Sequence, residues 1–370
     1  MKTIQEMLQE LSQCIVTVSG EFRFRTNWNG GKAHQPDLDV FDPNVPFCIE
    51  NVGDVPVEIG LHNTGATAVR SNCKISTDLK TWSDYNIVLT NDNTSNDIGR
   101  ILLQNKGDRI YIKADNTPLG ESPSYPYPHT QFKVFNQSES KKIRARGNIA
   151  SLNKGADDAY KTNYLILKGI GNYCYYELFK DCKSLTQAPE LPATTLANYC
   201  YSYMFFGCTS LTQAPELPAT ALTSGCYNSM FYNCTSLTQA PKKLPATTLA
   251  NYCYYSMFDT CTSLTQAPEL PATTLAERCY YAMFYDCKSL TQAPELPATT
   301  LVDSCYTYML SGCTKINYVK CLATNIFATN CTRNWLSNVS STGDFYTPAA
   351  TKWKSGSDGI PTGWTRHDIT

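Results

Sequence analysis

From Cys174 onward the sequence repeats itself almost word for word, and no other feature constrains the fold as tightly. Six cysteines, Cys174, Cys200, Cys226, Cys253, Cys279 and Cys305, are spaced by 26, 26, 27, 26 and 26 residues. Each is followed eight positions later by a second one: Cys182, Cys208, Cys234, Cys261, Cys287 and Cys313. The second copy reads Cys200-Tyr201-Ser202-Tyr203-Met204-Phe205-Phe206-Gly207-Cys208-Thr209-Ser210-Leu211-Thr212-Gln213-Ala214-Pro215-Glu216-Leu217-Pro218-Ala219-Thr220-Ala221-Leu222. The one interval of 27 arises because Lys242-Lys243 replaces a single Glu, a change that a loop absorbs and a buried element does not. A weaker seventh copy places Ile316, Leu322, Phe327, Cys331, Trp335 and Leu336 where earlier copies have Leu, Leu, Leu, Cys, Met and Phe.

A 26-residue unit cannot enclose a core by itself, so its recurring Cys, Tyr, Met-Phe, Cys and Leu positions must be covered by neighbouring copies, which makes the expected product a solenoid. Strand pairing would set its rise at about 4.8 Å per coil. Ser-Leu-Thr-Gln-Ala, bounded by proline, reads as a short strand. Cys, Met and Phe at i, i+4 and i+5 suit a single helical turn, and the two prolines per unit, such as Pro189 and Pro192, mark breaks in regular structure.

The motif Met-Phe-x-x-Cys-Thr-Ser-Leu-Thr-x-Ala-Pro-x-Leu-Pro-Ala-Thr-x-Leu, spanning about residues 174 to 340, resembles the Treponema-type (BspA-like) leucine-rich repeats. Those occur on bacterial cell surfaces, especially in gut Bacteroidetes, and in virion proteins of their phages. The resemblance implies a recognition scaffold without fixing its target. Thr347 to Trp353 and Gly359 to Trp364 look like the terminal segment of that family, a cap.

Three accounts compete for the paired cysteines. Zinc requires four converging ligands, usually with close C-x2-C spacing, whereas this spacing is C-x7-C with no histidine in any repeat. Disulfides need an oxidising location, and seventeen cysteines is an odd number. The preferred account is a column of twelve small, buried, structural thiols, each stacked on its equivalents. Neither a metal nor another cofactor is expected.

Near-identical copies are informative where they differ. One step before the first cysteine stand Tyr173, Tyr199, Gly225, Tyr252, Arg278 and Ser304; two steps after it, Tyr176, Ser202, Asn228, Tyr255, Tyr281 and Thr307; six steps after it, Lys180, Phe206, Tyr232, Asp259, Tyr285 and Ser311. Tyrosine supplies contact area at small entropic cost, and Ser, Asn and Gly adapt their hydrogen bonds, a composition typical of recognition surfaces. The candidate ligand face is therefore Tyr173, Tyr176, Tyr199, Tyr203, Phe206, Tyr232, Tyr252, Tyr255, Tyr281 and Tyr285, to be weighed against positions that are exposed and simply tolerant. The uniform Thr-Gln-Ala-Pro strip, with Gln213 and Gln266, is a second candidate face that recent duplication would explain equally well.

Residues 17–147 alternate short apolar runs with Gly, Asn and Asp clusters, as in Phe22 to Phe24, Val55 to Leu61, Cys73 to Ile75, Asn86 to Leu89, Arg109 to Lys113 and Gln131 to Phe135. Six such strands suggest a β-sandwich-like domain. Ser76 to Trp82 looks like the tight hairpin that similar proteins carry there. Asp37, Asp39 and Asp42 lack the Gly and distal Glu of a calcium loop and read as solvated. In residues 1–16, Ile4, Met7, Leu8, Leu11 and Ile15 form the apolar stripe of a short amphipathic helix for docking or oligomerisation. Carboxylates interrupt that segment, so it does not read as a secretory leader, and no run of eighteen apolar residues suggests a membrane span.

With 31 Lys+Arg against 32 Asp+Glu, the chain has no long-range attraction for nucleic acid or anionic lipid. Its four scattered histidines and the absence of a positioned nucleophile argue against an enzyme, although a glycosidase needs only two carboxylates. The sequence thus suggests a β-rich α/β protein: helix 1–16, β-sandwich-like domain 17–147, leucine-rich-repeat solenoid 148–342 with a short strand and helical turn per repeat, and cap 343–370. The expected role is non-enzymatic display, on a virion as fibre, decoration or receptor-binding component, or alternatively as a bacterial surface adhesin. The N-terminal region would join other virion or surface proteins, a homo-oligomer being possible, and the solenoid would take a protein or glycan ligand.

Overall fold

A computed structural model describes residues 15–18, 21–24, 45–64, 73–85, 88–89, 100–113, 129–149, 151–154 and 172–369. The described residues are strand-rich, with several sheets and one helix of four residues, Ser151–Lys154. No helix among them is long and apolar enough to cross a membrane.

Among the described residues, two larger sheets follow a two-stranded one in the first part of the chain. One runs Leu185–Gln187, Ile143–Arg146, Cys48–Asn51, Arg109–Lys113, Cys73–Ser76 and Ser83–Tyr85, in that spatial order. The other runs His129–Val134, Val57–Thr64 and Val88–Leu89, with Ile101–Leu103 also paired to Val57–Thr64. Alternation places Val57, Ile59 and Leu61 on one face, where they are buried together with Ile49, Ile110, Ile112, Phe132 and Ile143. Each apolar run read as a strand overlaps one here, though Asn86 and Ile87 lie outside the described residues. Strands at Ile15–Val18, Cys48–Asn51, Ser83–Tyr85, Ile101–Leu103 and Ile143–Arg146 were not anticipated. The expected tight turn forms between Cys73–Ser76 and Ser83–Tyr85, where Asp78 accepts backbone hydrogen bonds from Lys80 and Thr81, both at 2.8 Å.

At the amino end the helical stripe cannot extend to Ile15, because the β-branched run Ile15–Val18 pairs antiparallel with Glu21–Phe24. The remainder of that stripe, residues 4 to 11, and the Asp37, Asp39 and Asp42 loop lie outside the described residues.

The first repeat joins the larger sheet directly: Leu185–Gln187 pairs parallel with Ile143–Arg146, and Thr186 Oγ1 donates to the Ile143 carbonyl at 2.9 Å. Phe47 and Phe132 lie 6.0 and 5.7 Å from the Phe179 ring, so both sheets close one end of the repeat core.

The expected helical turn in each repeat is absent. Cys200 to Cys208 instead forms a row of overlapping β-turns whose amide hydrogens alternate in direction. Cys200, Ser202, Met204, Phe206 and Cys208 donate to the carbonyls three residues back, whereas Tyr199, Tyr201, Tyr203, Phe205 and Gly207 donate to Ser224, Cys226, Asn228, Met230 and Tyr232 of the next copy. An α-helix would satisfy its donors internally and leave nothing to link one coil to the next. This path requires a left-handed residue every fourth position, as at Tyr199, Tyr203 and Gly207, with φ of 55°, 57° and 70°. For residues with a Cβ that costs about 1–2 kcal/mol each, and the inter-coil hydrogen bonds and ring stacks offset it. The expected Ser-Leu-Thr-Gln-Ala strand is regular only as Leu185–Gln187, where Ile143–Arg146 supplies a partner strand; in the following copies it shrinks to isolated parallel bridges such as Gln213↔Gln239, and the proline after it, such as Pro215, withholds a donor.

Inside, equivalent residues stand in columns. Tyr175, Tyr201, Tyr227, Tyr254, Tyr280 and Tyr306 stack at 5.5 to 6.0 Å and end on Trp335. Phe179, Phe205, Phe231, Phe258 and Phe284 stack at 5.4 to 5.7 Å. In the seventh copy Cys331, Trp335 and Leu336 are buried, but Phe327 is 89% exposed; Ile326 takes the inward position, next to the Thr300↔Asn325 bridge. Tyr318–Lys320 of that copy forms a parallel sheet with Gly343–Pro348 and Trp364–Ile369 beyond it, and Trp353 stacks on Trp335 at 5.3 Å.

Candidate recognition face

The turn row forces side chains at its outward positions into columns one coil apart, so the variable positions of the repeat become a continuous surface. Tyr173 and Tyr199 stack at 5.1 Å, Tyr173 meets Tyr176 edge-on at 5.6 Å, and Tyr176 meets Tyr203 edge-on at 5.6 Å. Tyr203 continues to Phe206 at 5.8 Å, and Phe206 stacks on Tyr232 at 4.7 Å. A second group joins Tyr252 to Tyr255 at 6.0 Å, Tyr255 to Tyr281 at 4.6 Å, and both Tyr281 and Tyr285 to Tyr308 at 5.9 and 6.4 Å. All ten anticipated aromatic residues thus lie on the turn-row side of the repeats, half-buried apart from the more exposed Tyr285.

Six of the ten, Tyr203, Phe206, Tyr232, Tyr255, Tyr281 and Tyr285, line one depression of about 630 Å³. Tyr173, Tyr176, Tyr199 and Tyr252 are not part of its lining. The depression also contains Ser229, Ser256, Asp259, Ala282 and Tyr308, which the sequence reading did not select. Aligning the copies shows the signal that was available. Three steps after the first cysteine the residues run Tyr203, Ser229, Ser256, Ala282 and Tyr308, three small residues between two tyrosines. The small residues make the floor, and the tyrosines close its ends.

Asp259 is the one carboxylate in that lining and is 8% exposed. It accepts a hydrogen bond from Thr260 Oγ1 at 2.8 Å. Burial raises its carboxyl to about 6, against hydrogen bonds from Thr260 and Ser256 that favour the charged form. The Asp259 charge, with partial burial, in turn raises the Tyr232 hydroxyl. Burial and the neighbouring Tyr281 push Tyr255 up to about 12, so its hydroxyl is a neutral donor and acceptor at ordinary pH. Cations already rest on rings at its margins: Lys180 Nζ lies 5.6 Å above Phe206, and the Arg278 guanidinium 5.5 Å above Tyr252.

The repeat cysteines lie elsewhere, in the interior. All twelve are buried, and no disulfide occurs among the described residues. From the second unit on, the second cysteine does more than fill space. Cys208, Cys234, Cys261, Cys287 and Cys313 donate their S–H to the Phe179, Phe205, Phe231, Phe258 and Phe284 carbonyls of the preceding coil, at 3.0 to 3.1 Å. Burial pushes Cys182, Cys226, Cys279 and Cys313 up to about 12 and the other repeat thiols with described shifts upward too, which keeps them protonated donors rather than thiolate nucleophiles. No group of three or more His, Cys, Asp or Glu among the described residues is arranged to hold a metal ion. In the second candidate strip Thr212, Gln213, Thr265 and Gln266 are exposed while Ala214 and Pro268 are buried, and it carries none of the aromatic rings of the turn row. No protein-family model, curated protein or solved structure matches the chain.

Proposed function

We propose that this chain is a non-enzymatic display protein of the BspA-like leucine-rich-repeat type, in which a β-sandwich-like N-terminal domain carries a repeat solenoid whose tyrosine-lined turn face adheres to a protein or glycan on a host or mucosal surface. The observation that supports it is the pairing of a nearly invariant interior with a variable, aromatic exterior: the Phe179 to Phe284 column repeats one residue, whereas the depression collects the positions at which the copies differ. Evolution within a duplicated framework changes what neither packing nor turn geometry dictates, and here those changes converge on tyrosine, serine and aspartate. The buried, protonated thiols favour a scaffold over a catalyst.

In this reading the protein is a virion component, its N-terminal region joining other virion proteins; a bacterial cell-surface adhesin is the alternative setting. Both tests are direct. Mass spectrometry of gradient-purified phage particles from the source culture would find the chain in the virion; its recovery only from the cell envelope would favour the adhesin. Adhesion of the purified protein to immobilised mucin and to intact bacterial cells should fall at least about tenfold in a Tyr255→Ala, Tyr281→Ala double variant that keeps its circular dichroism. Unchanged adhesion in that variant would overturn the role given to this face.

A further inference from the structure

The depression combines an excess of aromatic surface with a negative charge that the fold does not neutralise. Six tyrosines and one phenylalanine surround Asp259, which sits midway along the trough, on the coil that contributes Tyr255 and Ser256. Among the described residues no lysine, arginine or histidine forms an ion pair with it. The charged groups nearby do not compensate: Asp286 on the next coil adds negative potential and is itself paired with Lys288 at 3.3 Å, while Arg278 is folded over Tyr252, its guanidinium donating to the Tyr252 hydroxyl at 3.1 Å. Electron-rich ring faces and phenolic oxygens around a desolvated carboxylate are the surroundings that favour an organic cation over an anion or a neutral sugar. Lys180 over Phe206 and Arg278 over Tyr252 show this protein's rings receiving both kinds of basic side chain at the margins of the same face.

We propose that the depression binds a basic side chain of a protein partner, with its ammonium or guanidinium group on the Asp259 carboxylate and its alkyl stem against the flanking tyrosines. The proposal rests on the reading of this face as a recognition surface and names the chemistry recognised there. A volume of about 630 Å³, running across the coils between Tyr203 and Tyr308, is far larger than one ammonium group requires and leaves room for the peptide on either side of it. A sialylated or sulfated ligand would instead meet an uncompensated carboxylate.

The experiment is a titration of the full chain with acetyl-Gly-Lys-Gly-amide at low salt, followed by saturation-transfer NMR. Saturable binding at pH 8 with a millimolar Kd is expected, weakened at least about fivefold by Asp259→Asn, by Nε-acetylation of the peptide lysine, and by a shift to pH 5. The pH arm reads Asp259, whose neighbours are Tyr232, Tyr255, Tyr285 and Asp286; the Tyr232 and Tyr255 hydroxyls are both raised and stay neutral over this range. The contribution of Asp286 is separated by an Asp286→Asn control that should keep most of the binding. Equal binding of the acetylated peptide, or undiminished binding by Asp259→Asn, overturns the proposal, as does saturation by choline where the lysine peptide fails. Adhesion to mucin or cells that survives Asp259→Asn but not the Tyr255, Tyr281 double variant would remove this inference and leave the recognition face standing.

Discussion

In the two-sheet region a core strand such as Cys48–Asn51 is held between Arg109–Lys113 and Ile143–Arg146, partners distant in sequence and unlike it in composition. In the stacked repeats Phe231 is held between Phe205 and Phe258, which are its own equivalents one coil away. The first region has a core in which every position is particular. The second has a one-dimensional core in which each coil depends on the two beside it. Variation is therefore tolerated on the repeats: the columns supply the stability, and the outward turn positions are free to change without a distant partner changing with them.

The largest expected effect breaks a column in its middle. Phe231→Ala removes a fully buried ring from a stack with rings on both sides and should cost about 3–5 kcal/mol. Because coils interact with neighbours only, urea unfolding monitored by fluorescence should also split into two transitions, whereas Phe132→Ala at the junction should weaken the two-sheet region and the first coil together. A single cooperative transition for Phe231→Ala would mean that the repeats are coupled more widely than their contacts imply.

A smaller effect probes the turn row. Gly225 has φ 60°, and a Cβ there would collide with the Tyr199 ring. Gly225→Ala should therefore cost about 2 kcal/mol in chemical denaturation and displace Tyr199, while Ser304→Gly, at φ 55° with no such ring contact, should be neutral or stabilise by about 0.5 kcal/mol.

The thiol column comes next. Cys261→Ala deletes the S–H donated to the Phe231 carbonyl and should cost about 1–2 kcal/mol, and native protein at pH 8 should alkylate at its repeat cysteines only as fast as it opens. Rapid labelling of Cys261 by iodoacetamide in the folded protein would contradict the burial described.

The smallest effect is electrostatic. Burial raises Asp259 from 3.8 to about 6, so the folded protein holds this proton more tightly than the unfolded chain does between those values. Its contribution to stability is therefore most favourable below pH 4, declines as pH rises toward 6 and is flat above. Asp259→Asn should remove that decline, leaving the variant more stable at pH 8 by about 1 kcal/mol after allowance for solvent screening. A pH series of thermal melts reads the difference.

Much of this was legible in the sequence because the period itself carries it. Cysteine spacing marked the inward Cys, Met and Phe positions, which are buried, whereas the variable columns are mixed: Tyr199 and Tyr281 are half-buried, but Ser202, Thr307 and Ser311 are buried. The helical turn was misread because Cys200, Met204 and Phe205 fall on one side of a four-residue turn row as well as of a helix. Gly207, Asn233, Gly312 and Asn338, all left-handed and all at the same place in their copies, were the discriminating signal, since only such residues adopt that conformation at little cost. Asp259 stands in the same variable column as Phe206, Tyr232 and Tyr285 but was passed over as a site residue because the selection followed the aromatic residues, and nothing in the sequence marks its carboxyl as buried. In the two-sheet region alternation identified Arg109–Lys113 but missed Cys48–Asn51, which is buried throughout and so shows no alternation.

Hydrogen–deuterium exchange of the full chain with and without a saturating mucin or cell-envelope fraction tests adhesion through the turn face most directly. Protection should appear in peptides covering 225–233, 252–260 and 278–286, with little change at 211–216 on the glutamine strip. Protection confined to the glutamine strip or to the two-sheet region, with the turn row unchanged, would contradict it.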